Sequence, residues 1–207
     1  MTVMAGAGKA KDEQAVRRRR SPEEARAQAL VSARKLLISN GPNGLTLQAV
    51  AQDIGVTHGT LIHHFGSAAE LQSALMGAMV RDLAAALETA VAHVRSDERA
   101  PRTVVDIVFT AFDEGGAGHL AAWIALSNRF EHLEPVREAV VDLVAALSEK
   151  VLTSGDDPPR HIPSALLLIT LCAFGDAVIG GPLREMLGRD RDAVRRLAAN
   201  LLPALIE

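Results

Sequence analysis

Residues 46–65, TLQAVAQDIGVTHGTLIHHF, restrict the possible folds of this chain more than any other stretch. Thr46 and Thr57 are side-chain caps of the kind that open helices. Between them Leu47, Val50, Ala51 and Ile54 recur on one helical face, and Gly55 can take the left-handed conformation of a sharp turn. The spacing predicts two helices of one or two turns, joined at Ile54-Gly55-Val56-Thr57, the second ending near His64. Small Ala51 lets the two cross closely, with Val56 and Leu61 filling the space between them. Helices this short do not persist alone, so a larger helical body must hold them.

The rest of the chain supplies such a body. Ser21-Pro22-Glu23-Glu24 reads as a capping box with proline in the first turn, and Ala29, Leu30, Ala33, Leu36 and Leu37 form a one-face stripe that stops near Asn40-Gly41-Pro42. A second box at Ser67 to Glu70 opens a long helix reaching about residue 95. Further helices are expected near 101–114, 119–130, 134–152, 162–179 and 190–206, with breaks at Pro101, Gly115-Gly116, Pro135, Gly155 to Pro159 and Gly180-Gly181-Pro182. Nothing reads as a strand. Aromatic residues make up only 3% of the 207 positions and tyrosine is absent, so the core must be Ala, Leu and Val. The expected fold class is all-α.

Charge is unevenly distributed. The first 80 residues hold nine Lys and Arg against six Asp and Glu, and the remainder holds 13 against 19. A basic first third on an acidic remainder suits a nucleic-acid module attached to a different one. Residues 1–20 end in the run Arg17-Arg18-Arg19-Arg20 and are expected to form a flexible basic arm. The single cysteine, Cys172, rules out a disulfide within the chain. No signal-like apolar core precedes Ala10, and the apolar run Ala165 to Gly180 is interrupted by Gly175 and Asp176, so no membrane span and a cytoplasmic location are expected. Neither a phosphate loop, a nucleophile elbow nor a paired-carboxylate motif occurs, so an enzyme is not expected. His58, His63 and His64 do not point one way on a helix and lack Cys or carboxylate neighbours at ligand spacing, so neither a metal nor a cofactor is expected.

From about residue 24 to 75 the chain resembles the DNA-binding domain of the tetracycline-repressor (TetR) family. The residues carrying the resemblance are Ala29 to Leu37, Gly44-Leu45-Thr46, Val50-Ala51, Gly55-Val56-Thr57, Gly59-Thr60-Leu61, His64-Phe65, Gly66-Ser67 and Glu70-Leu71. The resemblance implies a three-helix helix-turn-helix domain over 21–66 and a larger helical domain over 67–207 that binds an effector and dimerises. It implies a repressor released from a double-stranded operator by a small molecule. The implied DNA-contacting residues are Thr46, Thr57, His58, Gly59, Thr60, Ile62 and His63, and the arginine arm adds Arg17, Arg18, Arg19 and Arg20. His64 is expected to pack against the first helix. Two customary anchors differ here: Ile62 stands where an aromatic, often Tyr, is usual, and Ala68 where a phosphate-holding Lys is usual.

The last two helices are the expected homodimer interface, because 162–179 is apolar on nearly every side and Val194, Leu197, Ala198, Leu201, Leu202 and Leu205 form a stripe on the other. Pro203 is expected to kink or end that last helix. The scarce aromatics gather beyond residue 100, which suggests a mainly apolar effector pocket among Phe109, Phe112, Trp123, Phe130, Cys172 and Phe174, with Asp113, His119 or Asp176 as polar contact. The alternative function is a ligand-independent architectural DNA-binding protein, against which the large acidic helical remainder argues.

Overall fold

The computed structural model describes residues 21–91, 99–128, 132–152 and 162–206. Among them there is no strand. Helix α1 (Pro22–Asn40) starts at the expected capping box: the Glu24 amide donates to Ser21 Oγ at 3.1 Å, and the Ser21 amide donates to the Glu24 carboxylate at 2.9 Å. Helices α2 (Leu47–Ile54) and α3 (His58–Phe65) meet at Gly55, whose φ of 69° and ψ of 37° are left-handed. The Val56 amide beyond the turn donates to the Ala51 carbonyl, which satisfies an orphan helix end.

Helix α4 (Ala68–Val91) is the spine. Its first half packs Leu71, Ala74, Leu75, Met76 and Met79 into a core with Ala29, Ala33, Leu37, Val50, Leu61 and Phe65 of the first three helices and with Leu120 and Ile124 of α6 (Ala117–Ser127). Its second half sends Leu87 into another core, with Val105, Val108 and Phe109 of α5 (Ala100–Phe112) and Leu143 and Leu147 of α7 (Glu134–Leu152). Ile162, Ala165, Ile169 and Ala173 of α8 (Ile162–Gly175) and Ala198 and Leu202 of α10 (Ala193–Ile206) complete it. Phe112 packs against both cores. Helices α4 and α7 run close because Gly77 has no side chain: a Cβ there would lie 2.6 Å from the Pro135 carbonyl oxygen.

Two sequence expectations need correction. Gly180-Gly181-Pro182 does not break the chain. Residues Asp176–Gly180 form a widened π turn that leads straight into α9 (Gly181–Met186), so helical structure is continuous from Ile162 to Met186. Proline brings no amide hydrogen and cannot hold an α register, and the wider turn just before Pro182 is where that register is relaxed. The resulting 25-residue run is long and apolar enough to cross a membrane by length and composition. Its buried side nonetheless packs within the second core, and Asp176 and Arg184 interrupt it. Of the kink or end expected at Pro203, the end does not occur: α10 continues through it to Ile206.

Helix α8 is apolar all round, and among the described residues it is covered on one side only. Leu167 and Leu171 are 61% and 57% exposed, opposite the buried Ala165, Ile169 and Ala173. The exposed face continues through Val178, Ile179 and Leu183 and onto Leu197 and Leu201 of α10. The stripe read on α10 is therefore shared, with Ala198 and Leu202 turned inward and Leu197 and Leu201 outward.

Candidate nucleic-acid interface

Thr46 and Thr57 both cap as their positions predict. Thr46 Oγ1 accepts from the Ala49 amide at 3.1 Å, and Thr57 Oγ1 accepts from the Thr60 amide at 3.2 Å. Each removes an orphan donor, worth about 1 kcal/mol to a helix of this length. Helix α3 then divides by face. Leu61 and Phe65 are buried, and each anchors the helix with roughly 1.5–3 kcal/mol of apolar burial. His58, Gly59, Ile62 and His63 are exposed on the other side, Ile62 at 46%. Thr60 is half-buried and its hydroxyl lies 2.8 Å from that of Thr57, so the local cap already occupies it. His64 is half-buried beside His63, with ring centroids 5.7 Å apart.

The cations of α1 are engaged within the protein. Arg26 donates to the His64 carbonyl at 2.5 Å, and its guanidinium lies 4.4 Å from the centre of the Phe65 ring. It therefore closes the carboxyl end of α3 with a charge that suits the helix dipole. Lys35 donates to Asp53 at 2.9 Å, and Ser32 donates to the same carboxylate at 2.8 Å, tying α1 to α2. Together they hold the Asp53 carboxyl below the ordinary range, Lys35 first and Ser32 second. Arg34 pairs with Asp82 of α4 at 2.7 Å. Sequence reasoning missed these roles, because partners 18 to 48 residues apart leave no local pattern. Arg17, Arg18, Arg19 and Arg20 lie outside the described residues.

The candidate effector residues are dispersed. Phe109 is 1% exposed and fills the second core, where the guanidinium of Arg195 lies 5.5 Å from the centre of its ring. Phe112 sits between the cores, and Phe174 is half-buried. Asp113 pairs with Arg191 at 3.0 Å, His119 is exposed, and Trp123 is partly exposed. Phe130 lies outside the described residues. Cys172 and Asp176 line a groove of about 670 Å³ between α8, α9 and α10, where burial pushes the Cys172 thiol up. A second cavity of about 530 Å³ lies between α1, α4 and α5, with Met79, Leu83, Ile107 and Ala111 as its apolar wall and Arg34, Asp82 and Asp106 at its polar side. None of the other described candidates lines either cavity. Among the described residues no group of His, Cys, Asp and Glu could hold a metal ion.

Two capped short helices at a glycine turn, with the second free along one side, define a helix-turn-helix DNA-binding domain on an all-helical body. Residues 29–75 match the family model of the bacterial regulatory proteins of the tetR family, so this domain is a TetR-family helix-turn-helix domain. Solved structures share the fold over most of the chain. A candidate TetR-family transcriptional regulator from Rhodococcus sp. is 16% identical, with 89% of this chain and all of that one covered, at a TM-score of 0.62. The fatty acid degradation regulator FadR from Bacillus halodurans is 13% identical over 85% of this chain and 96% of its own, at 0.56. The multidrug binding protein EbrR, solved with imidazole, is 18% identical over 89% and 90%, at 0.55. Among curated proteins none matches.

Proposed function

We propose that the protein is a cytoplasmic, homodimeric repressor that a mainly apolar small molecule releases from its operator. Residues 21–66 bind DNA, residues 67–207 bind the effector and dimerise, and residues 1–20 form an arm that neutralises phosphates. The observation that carries this reading is the division of α3. Its inner face is locked by Leu61 and Phe65, which leaves His58, Gly59, Ile62 and His63 free to enter a major groove. The apolar face running from Leu167 to Leu201 suits a second copy, whose own α8 and α10 would complete a four-helix interface.

The cavity between α1, α4 and α5 suits the effector. Its apolar wall takes a hydrophobic body, and it touches both α1 of the DNA-binding domain and α5 of the helical body. An effector seated there favours a conformer in which α1 and α4 move relative to α5, and with them the spacing between the two copies of α3. Successive major grooves then no longer meet both helices, and the population shifts to the free state. Selection from random duplexes tests the reading. A palindromic site bound by two chains, and released by one compound of a broad apolar panel, is the expected result. Equal binding to all duplexes, indifferent to every compound, would instead favour the architectural alternative.

A further inference from the structure

The DNA-facing domain has an unusual charge balance. Residues 21–80 contain three Lys and Arg (Arg26, Arg34, Lys35) against four Asp and Glu (Glu23, Glu24, Asp53, Glu70). With neutral imidazoles the region is net negative, although it must approach a polyanion. Each of the three cations is already bonded within the protein, to the His64 carbonyl, Asp82 and Asp53 respectively. Helix α3 contains neither Lys nor Arg but has His58, His63 and His64 among its eight residues.

We propose that operator binding is linked to proton uptake by the imidazoles of α3, with His58 and His63 taking as imidazolium the phosphate-facing charge that lysine or arginine usually supplies. The proposal rests on the reading of α3 as the helix that enters the groove. Both side chains are exposed, on the side of α3 that leaves Leu61 and Phe65 for the core. They stand at opposite ends of the helix, so they reach different parts of the duplex backbone.

The charged groups around them come from three elements. Helix α1 brings Glu23, Glu24 and Arg26, and Glu24 is engaged by the Ser21 amide while Arg26 closes the end of α3. Helix α2 brings only Asp53, which Lys35 and Ser32 hold. Helix α4 brings Glu70, whose carboxylate is folded back over Gly66 at the end of α3. Among residues 21–80 each permanent cation, Arg26, Arg34 and Lys35, already has a partner within the protein and does not stand in for a protonated imidazole. A phosphate beside an imidazole favours its charged form, so the complex binds protons more readily than the free protein. By linkage the affinity must then rise as pH falls through the imidazole range, and fall as pH rises.

Fluorescence anisotropy with the full chain and a duplex chosen by selection tests this at constant ionic strength between pH 5.5 and 8.5. Binding is expected to tighten by roughly tenfold from pH 8 to pH 6. Calorimetry in buffers of different ionisation enthalpy should show net proton uptake. The double variant His58→Gln, His63→Gln should lose most of the pH dependence while keeping its helical circular dichroism, and His119→Gln on α6 should keep it. A pH-independent affinity in the parent, or an undiminished slope in the double variant, would overturn the proposal while leaving the DNA-binding reading intact. Failure to bind any duplex at any pH would overturn that reading and the proposal with it.

Discussion

The Arg34 guanidinium on α1 lies 2.7 Å from the Asp82 carboxylate on α4, at the polar side of the open cavity that α5 borders. The Arg34 side chain is 38% exposed and that of Asp82 64%, so water screens the pair and it contributes only roughly 0–1 kcal/mol to folding. Its consequence is positional, because it joins the first helix of the DNA-binding domain to the spine. Arg34→Met is expected to leave the urea midpoint close to that of the parent and to weaken operator binding severalfold by releasing α1. Unfolding curves beside anisotropy titrations check this, and an unchanged affinity would show that the tie does not position α1.

The Asp176–Arg184 pair spans the π turn on an otherwise apolar surface, with side chains 9% and 17% exposed. Removing one partner of a buried pair leaves an uncompensated charge, so Asp176→Ala should cost about 3 kcal/mol in urea unfolding. The pair passes directly over Gly180, where an added Cβ would lie 2.4 Å from the Asp176 carboxylate. Gly180→Ala alone should therefore destabilise by roughly 1–3 kcal/mol. Because the two substitutions disturb one contact, the double variant should cost less than their sum. Simple additivity would mean that Gly180 does not make room for the pair.

Arg102 of α5 donates to both carboxylate oxygens of Asp192, at 2.8 and 2.5 Å, just before α10. That contact, ahead of the burial that opposes it, holds the Asp192 carboxyl below its usual value of 3.8. A carboxylate depressed by folding stabilises the native state above its unfolded pKa and loses that contribution as pH falls through the folded one. Asp192→Asn should therefore lower the melting temperature at pH 7, and the gap from the parent should close below about pH 4 as the parent aspartate is protonated. Calorimetric melting between pH 2.5 and 7 measures the gap, and a constant gap would contradict the assignment.

Arg26, Arg34 and Lys35 are already engaged, so on the proposed reading phosphate neutralisation falls to Arg17, Arg18, Arg19 and Arg20 and to the imidazoles. Replacing the four arginines by Gln should weaken operator binding by at least about tenfold at moderate salt and lower the salt slope by roughly one unit per lost phosphate contact. Equal affinity and equal salt slope in the arginine variant would show that the arm does not touch DNA.

Leu197 of α10 is 62% exposed at the centre of the uncovered apolar face. Leu197→Glu should convert a dimer to a monomer in light scattering at micromolar concentration, with little change in helicity, since a carboxylate cannot be buried unpaired. A dimeric mass in the variant would place the interface elsewhere.

The local elements were legible in the sequence because their causes are local. Ser21 with Glu24, Thr46, Gly55 and Thr57 act on backbone groups within four residues, and each does so where the pattern places it. The inner stripe of α1 and the burial of Val50, Ala51 and Leu61 follow from a helical period that any reader of the chain can count. The all-helical class follows from the same periods and from a core limited to aliphatic side chains.

Tertiary structure decided what depends on partners distant in sequence. It paired the three α1 cations with His64, Asp53 and Asp82, which makes them internal ties. It placed Phe109 in a packed core, because an aromatic ring is an equally good filler and ligand contact until its neighbours are known. It carried the helix through Gly180-Gly181-Pro182, since a widened turn costs little when the flanking helices are already packed. It also divided the apolar surface of α8 into a covered and an uncovered side. Hydrophobicity states that a face must leave water, but only the arrangement of other helices determines which face does so within one chain.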